Sequence, residues 1–209
     1  MGKVFSRDIS GAIGSFLHND DWRFSFDENR GIFRFGLGLK GKMKTLDYII
    51  DVKKDAFITY AISPLSADSD DPQMMAQMAE FLTRANYGLK NGCFEMDFDD
   101  GELRYRSFVD CDGQVPSSEV VRNSIYVTAS TFQRYAPGIL DIIFGGIGAK
   151  EAIAKCEGKT NELLRQVLAE TSSDDPDVSA MLSRLSARLG LGSNPTSTEV
   201  TLSTNGGEA

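Results

Sequence analysis

The sequence has few of the residues that enzyme and metal sites require. It contains one histidine, His18, and three cysteines, Cys93, Cys111 and Cys156. An odd number of scattered cysteines does not form a disulfide framework, and no CxxC or HxxxH spacing indicates a zinc site. His18 lies in a polar turn, and the aspartates on both sides of Cys111 disfavour a thiolate. We therefore predict no catalytic residue, no metal and no cofactor.

Positive charge and long apolar runs are also scarce. The chain has 22 Lys and Arg against 30 Asp and Glu, a net charge of −8. This balance disfavours nucleic acid and anionic lipid as partners. No apolar segment approaches the roughly 20 residues of a membrane-spanning helix, and the N-terminus lacks the apolar core of a signal peptide. We expect a cytoplasmic protein that binds neither nucleic acid nor membrane.

The first third of the chain is patterned as one helix followed by strands. Ile9, Ile13, Phe16 and Leu17 recur at helical spacing and form one apolar face. Three runs then alternate apolar and polar residues, and a fourth is rich in β-forming residues. These runs span about residues 22–26, 32–39, 46–52 and 56–62. Closely spaced strands of this kind predict an antiparallel meander.

Helices dominate two later stretches. Asp71 and Pro72 are a typical helix start, and the helix they open should run to about Tyr87. After Ser117 we predict one helix, then a second one capped by Ser130 and kinked or split at Pro137. A glycine-rich break at residues 145–148 precedes a short helix near residues 149–156.

The stretch from Asn86 to Asp110 predicts a β-hairpin. Asp100 and Gly101 favour a two-residue type I′ turn, which requires positive φ at both central positions. That register pairs Glu95 with Arg106 and Asp97 with Arg104. It buries the row of Phe94, Met96, Phe98, Leu103, Tyr105 and Val109, and it leaves Phe108 on the opposite face.

Two glycine-rich stretches raise a nucleotide-binding alternative. Residues 36–41 spell GxGxxG, but they lie in an alternating strand pattern rather than between a strand and a helix. Residues 145–148 resemble a phosphate loop only loosely and lack the GxxxxGK[ST] spacing. We favour a bent strand and an inter-helix turn, and we keep a small-molecule or nucleotide sensor as the alternative function.

The chain divides by composition into three parts. Residues 1–158 should form an α+β domain, residues 159–190 a helical extension, and residues 191–209 a disordered tail of Gly, Ser, Thr and Asn. In the extension, Leu182 and Leu185 lie on the apolar side of a predicted helix. That side could cover a domain surface or recruit a partner.

A set of short motifs extends from the end of the second predicted helix to the fourth. They are an Asn-Tyr-Gly helix exit, a glycine before a Phe-x-x-Asp strand, an Asp-Gly turn, a Tyr-Arg strand and a Tyr-x-Pro pattern. The matching residues are Asn86, Tyr87, Gly88, Gly92, Phe94, Asp97, Asp100, Gly101, Tyr105, Arg106, Tyr135 and Pro137. From about residue 9 to 157 the chain resembles the YbjN family, bacterial proteins labelled sensory transduction regulators.

The resemblance implies a type III secretion chaperone-like fold, with a strongly curved antiparallel sheet flanked by helices. It also implies a homodimer without catalytic residues. We accordingly predict a non-enzymatic protein-interaction module, a chaperone-like or regulatory adaptor with a protein partner. The candidate contact residues are Met74, Met75, Met78, Phe108, Leu182 and Leu185. A row of methionines can form an adaptable binding surface, although such rows also fill cores.

Overall fold

The computed structural model describes residues 5–158, in which nine elements precede a last helix. In chain order they are α1 (Arg7–Asn19), β1 (Ser25–Asp27), β2 (Ile32–Gly38), β3 (Thr45–Val52), β4 (Ala56–Ile62), α2 (Pro72–Tyr87), β5 (Cys93–Met96), β6 (Leu103–Asp110) and α3 (Ser118–Gly145). The last helix, α4, covers residues 149–158. The predicted α+β class is confirmed. The predicted extension and tail, with Leu182 and Leu185, lie outside the described residues.

All six described strands form one open antiparallel sheet in the order β1–β2–β3–β4–β6–β5. The first four strands are the predicted meander, although β1 is only three residues long. The hairpin of β5 and β6 is added beside β4, so β4 lies in the interior of the sheet and β5 at its edge. Side chains alternate between the two faces of each strand, and one face is much more buried than the other.

The helices cover that buried face, which we call the inner face. Polar side chains join α3 to it: the Tyr48 hydroxyl donates to Ile125 O at 3.0 Å and lies 2.9 Å from Thr128 Oγ1, and Thr59 Oγ1 donates to Ser124 Oγ at 3.1 Å. Burial raises the pKa of Tyr48, so its hydroxyl stays neutral and able to donate. These hydrogen bonds satisfy polar groups that would otherwise be costly to bury.

The third helix is continuous over 28 residues, so the predicted division at Ser130 is wrong. Pro137 lies inside the helix, where its ring removes one backbone hydrogen bond. Tyr135 and Ile139, on either side of it, are buried. We attribute the continuity to this packing, since apolar burial on both sides offsets the proline's cost of about 3 kcal/mol.

The hairpin register also differs from the prediction. Glu95 pairs with Arg104 and Met96 with Leu103, two residues away from the register of a two-residue turn. The loop between β5 and β6 is therefore longer than two residues. It is closed by two backbone hydrogen bonds, from Asp97 N to Glu102 O and from Gly101 N to Asp97 O. A shift of two residues keeps each strand's faces, so only Phe98 changes: it lies in the loop and is 67% exposed.

Candidate functional site

The sheet has a second face, turned away from the helices, which we call the outer face. At its centre are aliphatic and aromatic side chains that are only half buried within the described part of the chain. They come from β3, β4 and β6 and form what we call the apolar strip: Ile49, Ile58, Tyr60, Ile62 and Phe108. Of these, Phe108 is 51% exposed. An apolar group of this kind on a sheet face is typical of an interaction surface.

From the sequence, the outer face was predicted as a contact surface through Phe108 alone, and the other four residues of the apolar strip were not identified. Residues 56–62 read AFITYAI, with apolar residues at nearly every position instead of a strict alternation. Such a run is typical of a strand covered on both faces. β4 is covered by α3 on its inner face only, in the part of the chain that the structure describes. The continuous run was therefore the available signal for a second contact surface.

Charged side chains flank the apolar strip. Arg104 lies over the Tyr60 ring, 4.8 Å from its centroid, and donates to Glu95 at 2.9 Å. Arg106 donates to the other oxygen of the same carboxylate at 2.5 Å. The predicted pairing of Asp97 with Arg104 is wrong, because Arg104 lies opposite Glu95. Asp97 lies in the loop, where its Oδ1 accepts a hydrogen bond from Asp99 N. One carboxylate thus serves two guanidinium groups.

The arginines also change the acidity of Glu95. Burial alone would raise the pKa of this carboxyl group, but the hydrogen bonds and positive charges of Arg106 and Arg104 outweigh it. They hold the pKa of Glu95 below its usual value.

We expect Glu95→Gln to lower the free energy of unfolding by about 1 kcal/mol at neutral pH, since the pairs are largely exposed. The folded pKa is below the unfolded one, so the stabilisation is present above the unfolded pKa and is lost as pH falls through the folded pKa. Urea unfolding at neutral pH and near pH 3 should show the gap between wild type and E95Q closing in acid.

The matched control for E95Q is Glu102→Gln. Its carboxylate lies 4.0 Å from Arg104 and makes no closer ion pair within the described residues. We expect E102Q to have little effect at either pH. An E95Q deficit that stays the same in acid would contradict the assignment.

The edges of the sheet are less available than the outer face. At the β5 edge, Asn86 acts like a short strand: its Nδ2 donates to Phe94 O at 3.0 Å, and its Oδ1 accepts from Phe94 N at 2.7 Å. These contacts use the outward backbone groups that an added strand would need. The other edge is β1, with three residues. The geometry favours contacts through the face over strand addition.

The predicted contact residues have different environments. Met75 is 6% exposed and Met78 is fully buried, so both fill the core between α2 and its neighbours. They are corrected to core residues, since a partner cannot reach them in this conformation. Met74 is partly buried, and its sulfur accepts a hydrogen bond from Asp68 N. Phe108 alone among the described candidates lies on the outer face. The structure does not bring the methionines and Phe108 together.

The two glycine-rich stretches do not have the geometry of nucleotide loops. Gly36 and Gly38 lie within β2, which leads into β3 and not into a helix. At the start of α4, Gln77 Oε1 accepts a hydrogen bond from Ala149 N at 2.7 Å. A side chain from α2 therefore already occupies one of the amides that would bind an anion there.

The groups most often used in catalysis are dispersed. His18 is exposed in the last turn of α1. Burial raises the pKa of Cys111 and of Cys156, which keeps both thiols protonated. A concavity of about 320 Å³ is lined by Glu95, Met96, Asp97, Phe98, Glu102 and Arg104. No three His, Cys, Asp or Glu side chains within residues 5–158 are grouped as metal ligands.

Comparisons with known proteins add no family assignment. No protein-family model matches the chain, and no curated protein matches it either. None of the helices that the structure describes has the length and apolar character needed to cross a membrane.

Proposed function

We propose that the chain is a non-enzymatic protein-interaction module, a chaperone-like or regulatory adaptor whose docking surface is the outer face of the sheet. The observation that carries this proposal is the apolar strip, since half-buried Ile and Tyr residues lie there with an exposed Phe108. A sheet face gains about 25 cal/mol for each Å² of apolar area that a partner removes from water. Flanking arginines supply the polar rim that protein interfaces usually have.

The proposal that the module is non-enzymatic is supported by the positions and pKa values of the described residues that catalysis would use. His18 is on the surface, and the buried thiols of Cys111 and Cys156 have raised pKa values. General acid–base and nucleophilic sites need such groups close together, with pKa values near neutrality.

Membership of the YbjN family, with a cytoplasmic and bacterial setting, is part of the same proposal. Several residues that carry the resemblance have structural tasks here. Asn86 binds the Phe94 backbone, the Tyr105 hydroxyl donates to Asn91 O, and Gly101 lies against Ala67. Residues with such tasks would define the fold and not a binding site. This is consistent with a family of adaptors that share a fold and differ in their contact surfaces.

A position-specific photo-crosslink tests the proposed docking surface. The photoreactive residue p-benzoylphenylalanine replaces Phe108, an exposed aromatic side chain, and the full chain is irradiated in a bacterial lysate. We expect an adduct with a protein. The matched control carries the same residue in place of Tyr87, which is 97% exposed at the end of α2.

The comparison between the two probes decides the test. The proposal requires an intermolecular adduct from position 108 that is absent or much weaker from position 87. Equal labelling from both positions would indicate random collision. The absence of any intermolecular adduct from position 108 would overturn the proposal.

A further inference from the structure

The charges of the outer face follow the order of the strands. β2 presents Arg34, and β3 presents Asp47 and Asp51. β4 presents the apolar residues Ile58, Tyr60 and Ile62. Beyond it, β6 presents Arg104 and Arg106, then Phe108 and the exposed Asp110 at its end, so two positive charges stand against one negative. β5 presents Glu95. Across the sheet the sequence of signs is positive, negative, apolar, positive, negative.

This order is antisymmetric about β4. β3 and β6, the neighbours of β4, carry opposite charges, and so do β2 and β5, the next strands out, while β1 has no counterpart. A two-fold axis parallel to β4 and lying between two sheets places β3 of one copy opposite β6 of the other, and β2 opposite β5. β4 then faces β4. These four strands each meet a strand of opposite charge, and the apolar strand meets itself, which is the self-complementarity that an isologous interface requires.

The register makes one contact specific. Ile62 pairs with Asp47 of β3 on one side and with Arg104 of β6 on the other. The three outward side chains therefore form one row across the sheet. In the two-fold arrangement, Asp47 of each copy faces Arg104 of the other, on both sides of the paired Ile62 side chains. Sheets packed face to face keep their strand directions within about 30°, so rows stay in reach of one another.

The pairing inside one copy leaves charge available for this contact. Asp47 is exposed and makes no ion pair within residues 5–158. Arg104 and Arg106 both pair with the carboxylate of Glu95, and Arg104 is also 4.0 Å from Glu102 Oε1. On the outer face of β6 the two arginines outnumber the one acid, Asp110, so the strand keeps a positive charge. An unpaired acid on β3 and surplus positive charge on β6 are complementary between copies.

We propose that the outer face binds a second copy of this chain, through a two-fold axis parallel to β4 that joins Asp47 of each copy to Arg104 of the other. This inference rests on the proposed function, because it names the partner of the same surface. The interface has apolar β4 at its centre and two equivalent ion pairs beside it.

Charge reversal tests the two-fold contact. Sedimentation equilibrium of the full chain should give the mass of two chains. Asp47→Arg should raise the dimer dissociation constant about 100-fold, because the axis repeats the change at two contacts and roughly tenfold is expected for each. The matched control is Glu151→Arg, the same charge change at an exposed position on α4, which should leave the dissociation constant unchanged.

Mixing gives a sharper result than either variant alone. D47R carries two positive residues at the contact and R104D two negative ones, so each repels its own copy. In a mixed dimer both contacts are again complementary, and equimolar D47R and R104D should form dimers with nearly the wild-type dissociation constant. Should R104D fail to fold, since Arg104 also pairs with Glu95, the comparison of D47R with E151R decides by itself.

The outcomes separate this inference from the proposed function. A wild-type monomer, a D47R dimer as stable as wild type, or folded single variants that remain monomers when mixed would each overturn the second-copy assignment. So would a crosslink from position 108 to a residue after 158 of the same chain. If position 108 then still labels a different protein, the docking surface stands without the dimer. The dimer itself predicts a crosslink from position 108 to β3 of the other copy.

Discussion

Phe132→Ala is expected to lower the free energy of unfolding by about 3–5 kcal/mol, the range for removing a buried phenylalanine. Phe132 is fully buried on α3, and its ring meets that of Phe94 edge-on at 5.1 Å. The change leaves a cavity between α3 and the sheet, where both sides are held by other contacts and cannot close in. Thermal unfolding should show a midpoint lower by about 6–20 °C, and urea unfolding should give the free energy.

The same helix provides the control. Phe144 is 71% exposed near the end of α3, so Phe144→Ala should change the free energy of unfolding by less than about 0.5 kcal/mol. Both variants remove the same atoms from one helix and differ mainly in burial. Similar losses for the two would contradict the placement of Phe132 between α3 and the sheet.

The second large effect concerns the loop between β5 and β6. Gly101 has φ of +73°, and a Cβ at this position would lie 2.0 Å from the backbone oxygen of Ala67. The loop cannot simply move away, because Ala67 N donates to Gly101 O at 3.0 Å. Gly101→Ala should therefore lower the free energy of unfolding by about 2–5 kcal/mol, the sum of left-handed strain and overpacking. Urea unfolding measures this loss.

Gly113→Ala separates the two contributions to that loss. Gly113 has the same φ of +73°, but a Cβ added there would meet no heavy atom within 4 Å beyond its chain neighbours. The substitution adds only left-handed strain, about 1–2 kcal/mol. The difference between G101A and G113A then measures the contact with Ala67. Equal losses would show that backbone strain alone explains Gly101.

Much of the fold was predictable because local signals and packing agree. The bounds of α2 and β4 match the prediction, since Asp71 caps the helix through Gln73 N and Met74 N and the flanking turns are distinct. The hairpin was predicted at the correct place with the wrong turn. Asp-Gly favours a two-residue turn in isolation, whereas here Gly101 also has to fit against Ala67.

The candidate site was less predictable. The methionine pattern on α2 is the same whether the row faces a partner or the core, and only packing against other elements buries Met75 and Met78. Apart from Phe108, the apolar strip was missed because its residues come from three strands and become neighbours through pairing. Phe108 was correctly predicted to lie on the outer face, because side chains alternate along β6 and the hairpin alone shows which of them face the core.

By itself, the sequence determined the kind and order of most elements, the inward side of each strand and the scarcity of catalytic groups, because these depend on residue type and short-range periodicity. The tertiary structure alone decided that α3 continues through Pro137, that Asn86 closes an edge of the sheet and that charges of opposite sign lie on either side of β4. Each of these depends on residues far apart in the chain, whose contacts form only when the sheet and helices pack together.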